Sequence, residues 1–458
     1  MSIKKILFIL VVFVGCFSFG QNKKILFGFA ELPQTLMLNP GAETNFRFHV
    51  GVPLLSGLSL EVGATEGKIS DLFLNDQVSF NTKFENFIAK LSPRDYMSFN
   101  TQIEVLNGGY RMNKKAYLSF GFYEEIDMIG YNPKDIVEFL YYGNQQNLSR
   151  PVQFSQINYR AEVLGVLHAG ISYKLNKKTT IGSRFKLYSG GIQTSSNNNS
   201  GYFTTTVQGN NIYRHHFTNV NVNSYSSGLY NDDGQLDIDA GEIFNNTILS
   251  KNIGIGVDVG FTYHYSPQIE ITGSILDVGF VRYSKKIGNT SISGSHQIDG
   301  IGLVFDGGNT DYWAQLDSEL RTNLPTNTNK DSYVAWRPIK MYGGIKYGYG
   351  EARTEKECYE PYKEYYKNSV GLQLFAATRP LATQTAATVF FERSFNEQLF
   401  TKLTYTVDAY SFSNVGLGIS AKVGKFNVYG LVDNIFKMTK LEETSYISIQ
   451  FGMNLIFD

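Results

Sequence analysis

The chain has 458 residues, 41 basic and 41 acidic side chains and so no formal net charge; 18% of its residues are charged and 14% aromatic. Such a balance excludes the basic surplus that a nucleic-acid binder needs to neutralise phosphates. Two cysteines exclude a disulfide framework or a cysteine-based zinc site, and 42% apolar residues exclude a disordered chain. With 44 Gly, 34 Phe and 30 Tyr, what remains is a long, aromatic-rich, all-β chain.

The first element is a targeting segment. Met1-Ser-Ile-Lys-Lys5 is basic, Ile6 to Val14 is an unbroken apolar run, and Ser18-Phe-Gly20 places small residues where a signal peptidase reads. The pattern predicts a signal peptide over 1–20, cleaved before Gln21, with 21–458 as one β-barrel domain. A membrane anchor fits less well, because the run falls short of the about 20 residues that span a bilayer as helix. Lipidation at Cys16 fits poorly too, since Phe13 is wrong for a lipobox. After residue 21 no apolar stretch is long enough for a transmembrane helix. Membrane residence then requires a closed barrel.

Alternation with period two follows along the chain, as expected of a wall between lipid and an aqueous lumen. Ile447, Ile449, Phe451, Met453, Leu455 and Phe457 share one face, with Tyr446, Ser448, Gln450, Gly452 and Asn454 on the other. The run exceeds the 5 or 6 residues usual in a soluble sandwich strand and suits the roughly 9 to 11 tilted residues that cross a bilayer. The same pattern marks 253–265, 402–409, 415–423 and 157–173, the last with an expected break near Gly165. Further strands are predicted near 45–52, 57–64, 99–106, 116–123, 179–188, 268–276, 338–349, 369–377, 386–393 and 425–432. In all, the chain predicts a single antiparallel outer-membrane-type β-barrel of about 14 strands. Turn signals are Asn107-Gly-Gly109, Asn176-Lys-Lys178 and Ser266-Pro267.

Two inserts read as short helices: Thr82 to Leu91, ending before Pro93, and Asn132 to Leu140, with Asn132 as N-cap and Ile136, Phe139 and Leu140 as its apolar stripe. They are expected to cover the barrel edge. Residues 190–250 form a long polar loop or hairpin, and inserts near 305–337 and from Glu351 to Lys367, which holds Cys358, extend the loops.

No catalytic, cofactor-binding or metal-binding residues are assigned. The chain lacks Gly-x-Ser-x-Gly, His-Glu-x-x-His and phosphate-loop signatures. His215-His216 would point to opposite strand faces. Asn231 to Glu242 resembles the centre of a calcium loop, but Leu229 and Ala240 occupy two ligand positions, so a solvated acidic turn is expected. His168 and His264 fall on the polar parity of their strands and are expected in the lumen.

Leu38-Asn-Pro-Gly41 followed by Val50-Gly-Val-Pro-Leu-Leu55, then Ser274 to Phe280 and Tyr429 to Asn434, resemble an exported β-barrel family of uncharacterised function widespread in Bacteroidota. The Asn-Pro start also resembles the outer-membrane fatty-acid transporter family. Overall size and motifs are similar to the plug subunit of the type IX secretion translocon. That resemblance implies a non-enzymatic subunit that associates with the giant translocon barrel and blocks its periplasmic opening, in contact with outer-membrane lipid. The fatty-acid resemblance implies instead a transporter for hydrophobic solutes. Asp458 after the final Phe457 departs from the usual barrel-assembly signal, so a barrel held at the periplasmic face by a partner is a further expectation.

Overall fold

In the computed structural model, the described residues are 23–29, 32–65, 72, 76–208, 213–231, 235–299, 318, 322, 324–352, 365–412, 414–437 and 445–457. The expected signal peptide with Cys16, and Cys358, lie outside them.

Alternating side chains and an unbroken antiparallel ladder close the sheet into a wall of fourteen strands. In chain order these are β1 in two pieces (Phe48–Gly51 and Leu58–Ala64), β2 (Tyr96–Arg111), β3 (Ala116–Tyr131), β4 (Tyr159–Lys174), β5 (Thr179–Ser196), β6 (Ile253–His264) and β7 (Ile269–Tyr283). Then follow β8 (Lys340–Ala352), β9 (Tyr366–Ala377), β10 (Gln384–Ser394), β11 (Leu399–Asp408), β12 (Asn414–Val423), β13 (Phe426–Asp433) and β14 (Tyr446–Phe457). Each pairs with the next, and β14 returns to β1 through Phe48–Phe457 and Val62–Ile447. Closure leaves no free edge, the condition a sheet must meet in hydrocarbon.

The parity is that of a lipid-facing barrel. On β6, Ile253, Ile255, Val257, Val259 and Phe261 are exposed while Asp258, Thr262 and His264 are buried. On β11, Leu403, Tyr405 and Val407 face out, with Lys402, Thr404 and Thr406 buried. Among the described residues no helix is long and apolar enough to cross a membrane.

Tight turns join the strands at one mouth, where β1 starts and β14 ends; the longer connection from Ala352 to Tyr366 is the exception there. The opposite mouth carries the long loops. There Ser200–Val207, Tyr213–Ser227, Asn289–Asp299 and Thr326–Asn329 form a second sheet. Three helices lie on the same side: α1 (Phe80–Lys90), α2 (Lys134–Tyr142) and α3 (Ala240–Leu249). Ser79 caps α1 through Thr82 N. The expected cap Asn132 is displaced: Pro133 holds that position and makes no side-chain cap bond. Leu140 is 76% exposed, so it is not part of a packed stripe, whereas Phe139 meets Phe203 edge-on.

Two other expectations are corrected. Asn107-Gly-Gly109 is no turn but lies inside β2, with Gly109 paired to His49. A side chain there would meet Leu118 O at 2.6 Å and the His49 ring at 2.8 Å, so these glycines serve packing. The predicted break near Gly165 is absent, because β4 runs unbroken and the irregularity sits in its partner: Leu164 pairs with Gly190 and Val163 with Ile192, which leaves Gly191 as a bulge.

The orientation makes a numerical prediction. Val257→Arg, mid-wall and outward, should cost about 2–4 kcal/mol, and Val423→Arg near the turn mouth about 0–1 kcal/mol. Urea unfolding in lipid vesicles checks this, and equal costs at both sites would refute the placement of the hydrocarbon band.

Candidate functional site

The lumen is filled by the chain's own N-terminal segment, which the alternation pattern did not reveal. Lys23 to Gly28 turn on themselves inside the barrel, and Pro33–Met37 form a 3-10 helix. The chain then leads out to β1 at the turn mouth. Ile25, Leu26, Phe27, Phe29, Leu32 and Leu38 pack on inward wall residues such as Leu276, Tyr342, Phe375 and Leu431. Phe27 stacks on Tyr342 at 5.0 Å.

The described residues of this plug make no sheet with the wall, so their backbone carbonyls need other donors. Wall side chains supply them. Lys402 Nζ donates to Phe27 O at 2.6 Å and Lys346 Nζ to Gly28 O at 3.2 Å. Arg184 donates to Leu36 O at 3.0 Å and to Met37 O at 2.5 Å. Ser274 reaches Leu38 O at 2.5 Å, Thr262 Gly41 O at 2.9 Å and Ser172 Ala42 O at 3.1 Å.

Asn39-Pro-Gly41 is the tightest contact. A Cβ on Gly182 of β5 would lie 2.0 Å from Pro40 O, and one on Gly260 of β6 would lie 2.1 Å from Asn39 Oδ1. Asn39 Nδ2 also donates to Phe261 O at 3.1 Å. The motif therefore docks the plug onto two wall glycines. Ser274 to Phe280 has a comparable role: Ser274 holds the plug, and Asp277, with φ +61°, turns its carboxylate into the lumen. In Tyr429 to Asn434, Tyr429 donates to Ser56 O at 3.0 Å, and Asn434 donates to Tyr446 O at 2.7 Å.

Beside the plug runs a continuous belt of buried charge. Asp258 accepts from Arg184 at 2.5 Å and lies 3.0 Å from Lys186. Lys186 reaches Asp277 at 2.5 Å, and Lys340 bridges Asp277 and Glu125 at 3.1 Å each. Arg337 joins Glu125 at 2.7 Å to Glu162, which Arg160 also binds at 2.9 Å. A separate pair, Arg379–Asp127, is 2.7 Å apart.

The belt ends under a cavity of about 480 Å³ at the loop mouth. Tyr225 and Tyr333 line it with Arg160, Arg337 and Arg379. Tyr225 and Tyr333 lie 5.3 Å apart, whereas Trp336, 68% exposed, pairs with Phe280 on the outward parity of β7 and meets its ring at 5.5 Å. Burial pushes the Tyr333 phenol well above its ordinary value, so it stays protonated and donates to Gln193 Oε1. At the turn mouth lies a separate, smaller space of about 70 Å³, lined in part by Phe29, His264, Glu270 and Lys346.

His168 and His264 are buried in the lumen, as their parity predicted. His215 and His216 are held separately by Thr205 and Thr206 and do not converge. Of Asn231 to Glu242, residues 232–234 lie outside the described ones; Asp239 caps α3, and Glu242 pairs with Lys286 at 2.5 Å. Sequence reasoning missed the plug carbonyl ligands, the charge belt and the mouth aromatics. The one signal available for them was the inward parity of charged residues such as Arg184, Lys186 and Asp258.

The chain matches family DUF5723, a family of unknown function, over residues 40–433. It belongs to that family. No curated protein matches it. Among solved structures it is similar to the Ralstonia pickettii toluene transporter TbuX, at 10% identity over 96% of this chain and 99% of that one, TM-score 0.44. It is also similar to a Pseudomonas aeruginosa FadL homologue, at 8% identity over 94% and 95%, TM-score 0.45. The CymD monoaromatic hydrocarbon channel is 10% identical over 96% and 98%, TM-score 0.42. The fourteen-strand barrel itself is read from this DUF5723 chain's own ladder.

Loss of Arg184 leaves the buried Asp258 with Lys186 as its remaining cation and the Leu36 and Met37 carbonyls without their donor. Arg184→Met should destabilise the barrel by about 3–5 kcal/mol, and Arg184→Met/Asp258→Asn by less. Chemical unfolding of the single and double variants checks this; a single variant as stable as wild type would show that Asp258 is solvated.

Proposed function

We propose that this barrel is a non-enzymatic outer-membrane transporter for hydrophobic solutes, which it first captures at the loop mouth. One observation carries the reading: the cavity of about 480 Å³ in which the paired rings of Tyr225 and Tyr333 sit above the plugged lumen. Aromatic walls bind an apolar body, and a few placed polar groups orient it. The guanidinium groups of Arg160, Arg337 and Arg379 already face carboxylates below. The cavity therefore offers oriented donors rather than a large unbalanced charge, which favours neutral or weakly amphipathic solutes. Passage through the barrel requires residues 23–29 and 32–46 to move, because they occupy the lumen.

Association with the giant barrel of a type IX translocon, as its plug at the periplasmic opening, rests on the sequence resemblance alone. The signal peptide over 1–20 likewise belongs to this proposal, as the route of export.

Titration calorimetry with naphthalene and with oleate tests the uptake reading on detergent-solubilised protein. Saturable binding is expected, weakened about tenfold by Tyr225→Ala, the value of one good aromatic contact. If neither probe binds and native purification instead recovers a giant partner barrel, the uptake reading is replaced by the plug reading.

A further inference from the structure

At the turn mouth, far from the aromatic cavity, three ligand-type side chains from three segments meet. They are Glu43 of the plug, His264 at the end of β6 and Glu270 at the start of β7. All are buried, and each offers a ligand atom within 4.8 Å of the others. The topology explains the meeting. His264 and Glu270 face each other across the β6–β7 ladder, where directly opposed side chains are neighbours. The plug then brings in Glu43, 221 residues away in sequence from His264.

We propose that Glu43, His264 and Glu270 form a binding site for a divalent transition-metal ion, best matched by Zn²⁺, that fastens the plug to the wall. One imidazole and two carboxylates suit zinc, whereas calcium takes six to eight oxygens. In a tetrahedral zinc site the ligand atoms stand about 3.4 Å apart, as bond lengths near 2.1 Å require. Glu43 Oε2 and His264 Nε2, now 2.8 Å apart, separate by about 0.6 Å to reach that spacing as the ion replaces the proton between them.

The surroundings supply the remaining requirements. Thr180 Oγ1 donates to Glu43 Oε1 at 2.8 Å, which fixes that carboxylate and turns Oε2 towards His264 Nε2, 2.8 Å away. Such an outer hydrogen bond is what orients a metal ligand. Lys346 Nζ is 3.4 Å from Glu270, but it also has Glu392 at 3.6 Å and Gly28 O at 3.2 Å, so it keeps partners when Glu270 turns to the metal. Glu43 and Glu270 border a void of about 20 Å³, which is the size of one water or ion. His264 and Glu270 also line the turn-mouth cleft, which gives the ion its way in.

The proposal is independent of the uptake reading. Untagged full-length protein, stripped with a chelator in detergent, is titrated with Zn²⁺ by calorimetry and with Co²⁺ by visible absorption. Expected are one equivalent of each metal, ligand-field bands from Co²⁺ and a thermal midpoint raised by Zn²⁺. Glu270→Gln and His264→Gln should each weaken binding at least about tenfold, as loss of a ligand or its support does. His215→Gln/His216→Gln should bind as wild type. Absence of saturable binding by the wild-type chain overturns the proposal without recourse to any variant, and so does binding that survives His264→Gln and is lost with His215 and His216.

Discussion

A barrel of fourteen strands is too wide for its own inward side chains to fill, since about eight strands is the size at which they meet. Hydrocarbon outside forbids any opening in the ladder, so the surplus interior space is either left to water or filled from within. In this DUF5723 chain the N-terminal segment fills it. Arg184 shows how closely wall and filling depend on one another: one guanidinium binds Asp258 of the wall and the carbonyls of Leu36 and Met37 of the plug.

The charge belt follows from the same constraint. The outer face is given to apolar residues, so charged side chains of the wall are confined to the lumen. There each one is costly unless paired, and many of the pairs form a chain from Arg184 to Arg160, with Arg379–Asp127 standing apart. Pairing of this kind adds little net stability over an apolar filling. What it does fix is the position of the plug, because lysine and arginine donors are shared between carboxylates and plug carbonyls. The two mouths then acquire different characters: aromatic and open at the loop side, narrow and rich in ligand groups at the turn side.

Much of the wall was legible in the chain. Val257 or Leu403 announces an outward position because its neighbours on both sides are polar or small. Strand extent was less legible. The glycines at 108 and 109 read as a turn, since a sequence cannot show that His49 and Tyr117 need the space a side chain would fill. The break expected near Gly165 failed for a related reason: the irregularity belonged to Gly191 on the neighbouring strand, and pairing partners are not visible along one strand. The motif Asn39-Pro-Gly41 stood out as a family resemblance, but its physical role appeared only beside Gly182 and Gly260.

Alternation acts between residues two apart, so the sequence alone determined that this is a closed, lipid-facing β-barrel with polar loops. The contacts that make its candidate sites join residues far apart: Lys402 with the Phe27 carbonyl across 375 positions, Glu43 with His264 across 221. No local rule specifies such partners, because barrel closure and the path of the plug decide which inward side chains meet. The filled lumen, the aromatic mouth and the Glu43–His264–Glu270 cluster were therefore decided by the tertiary structure.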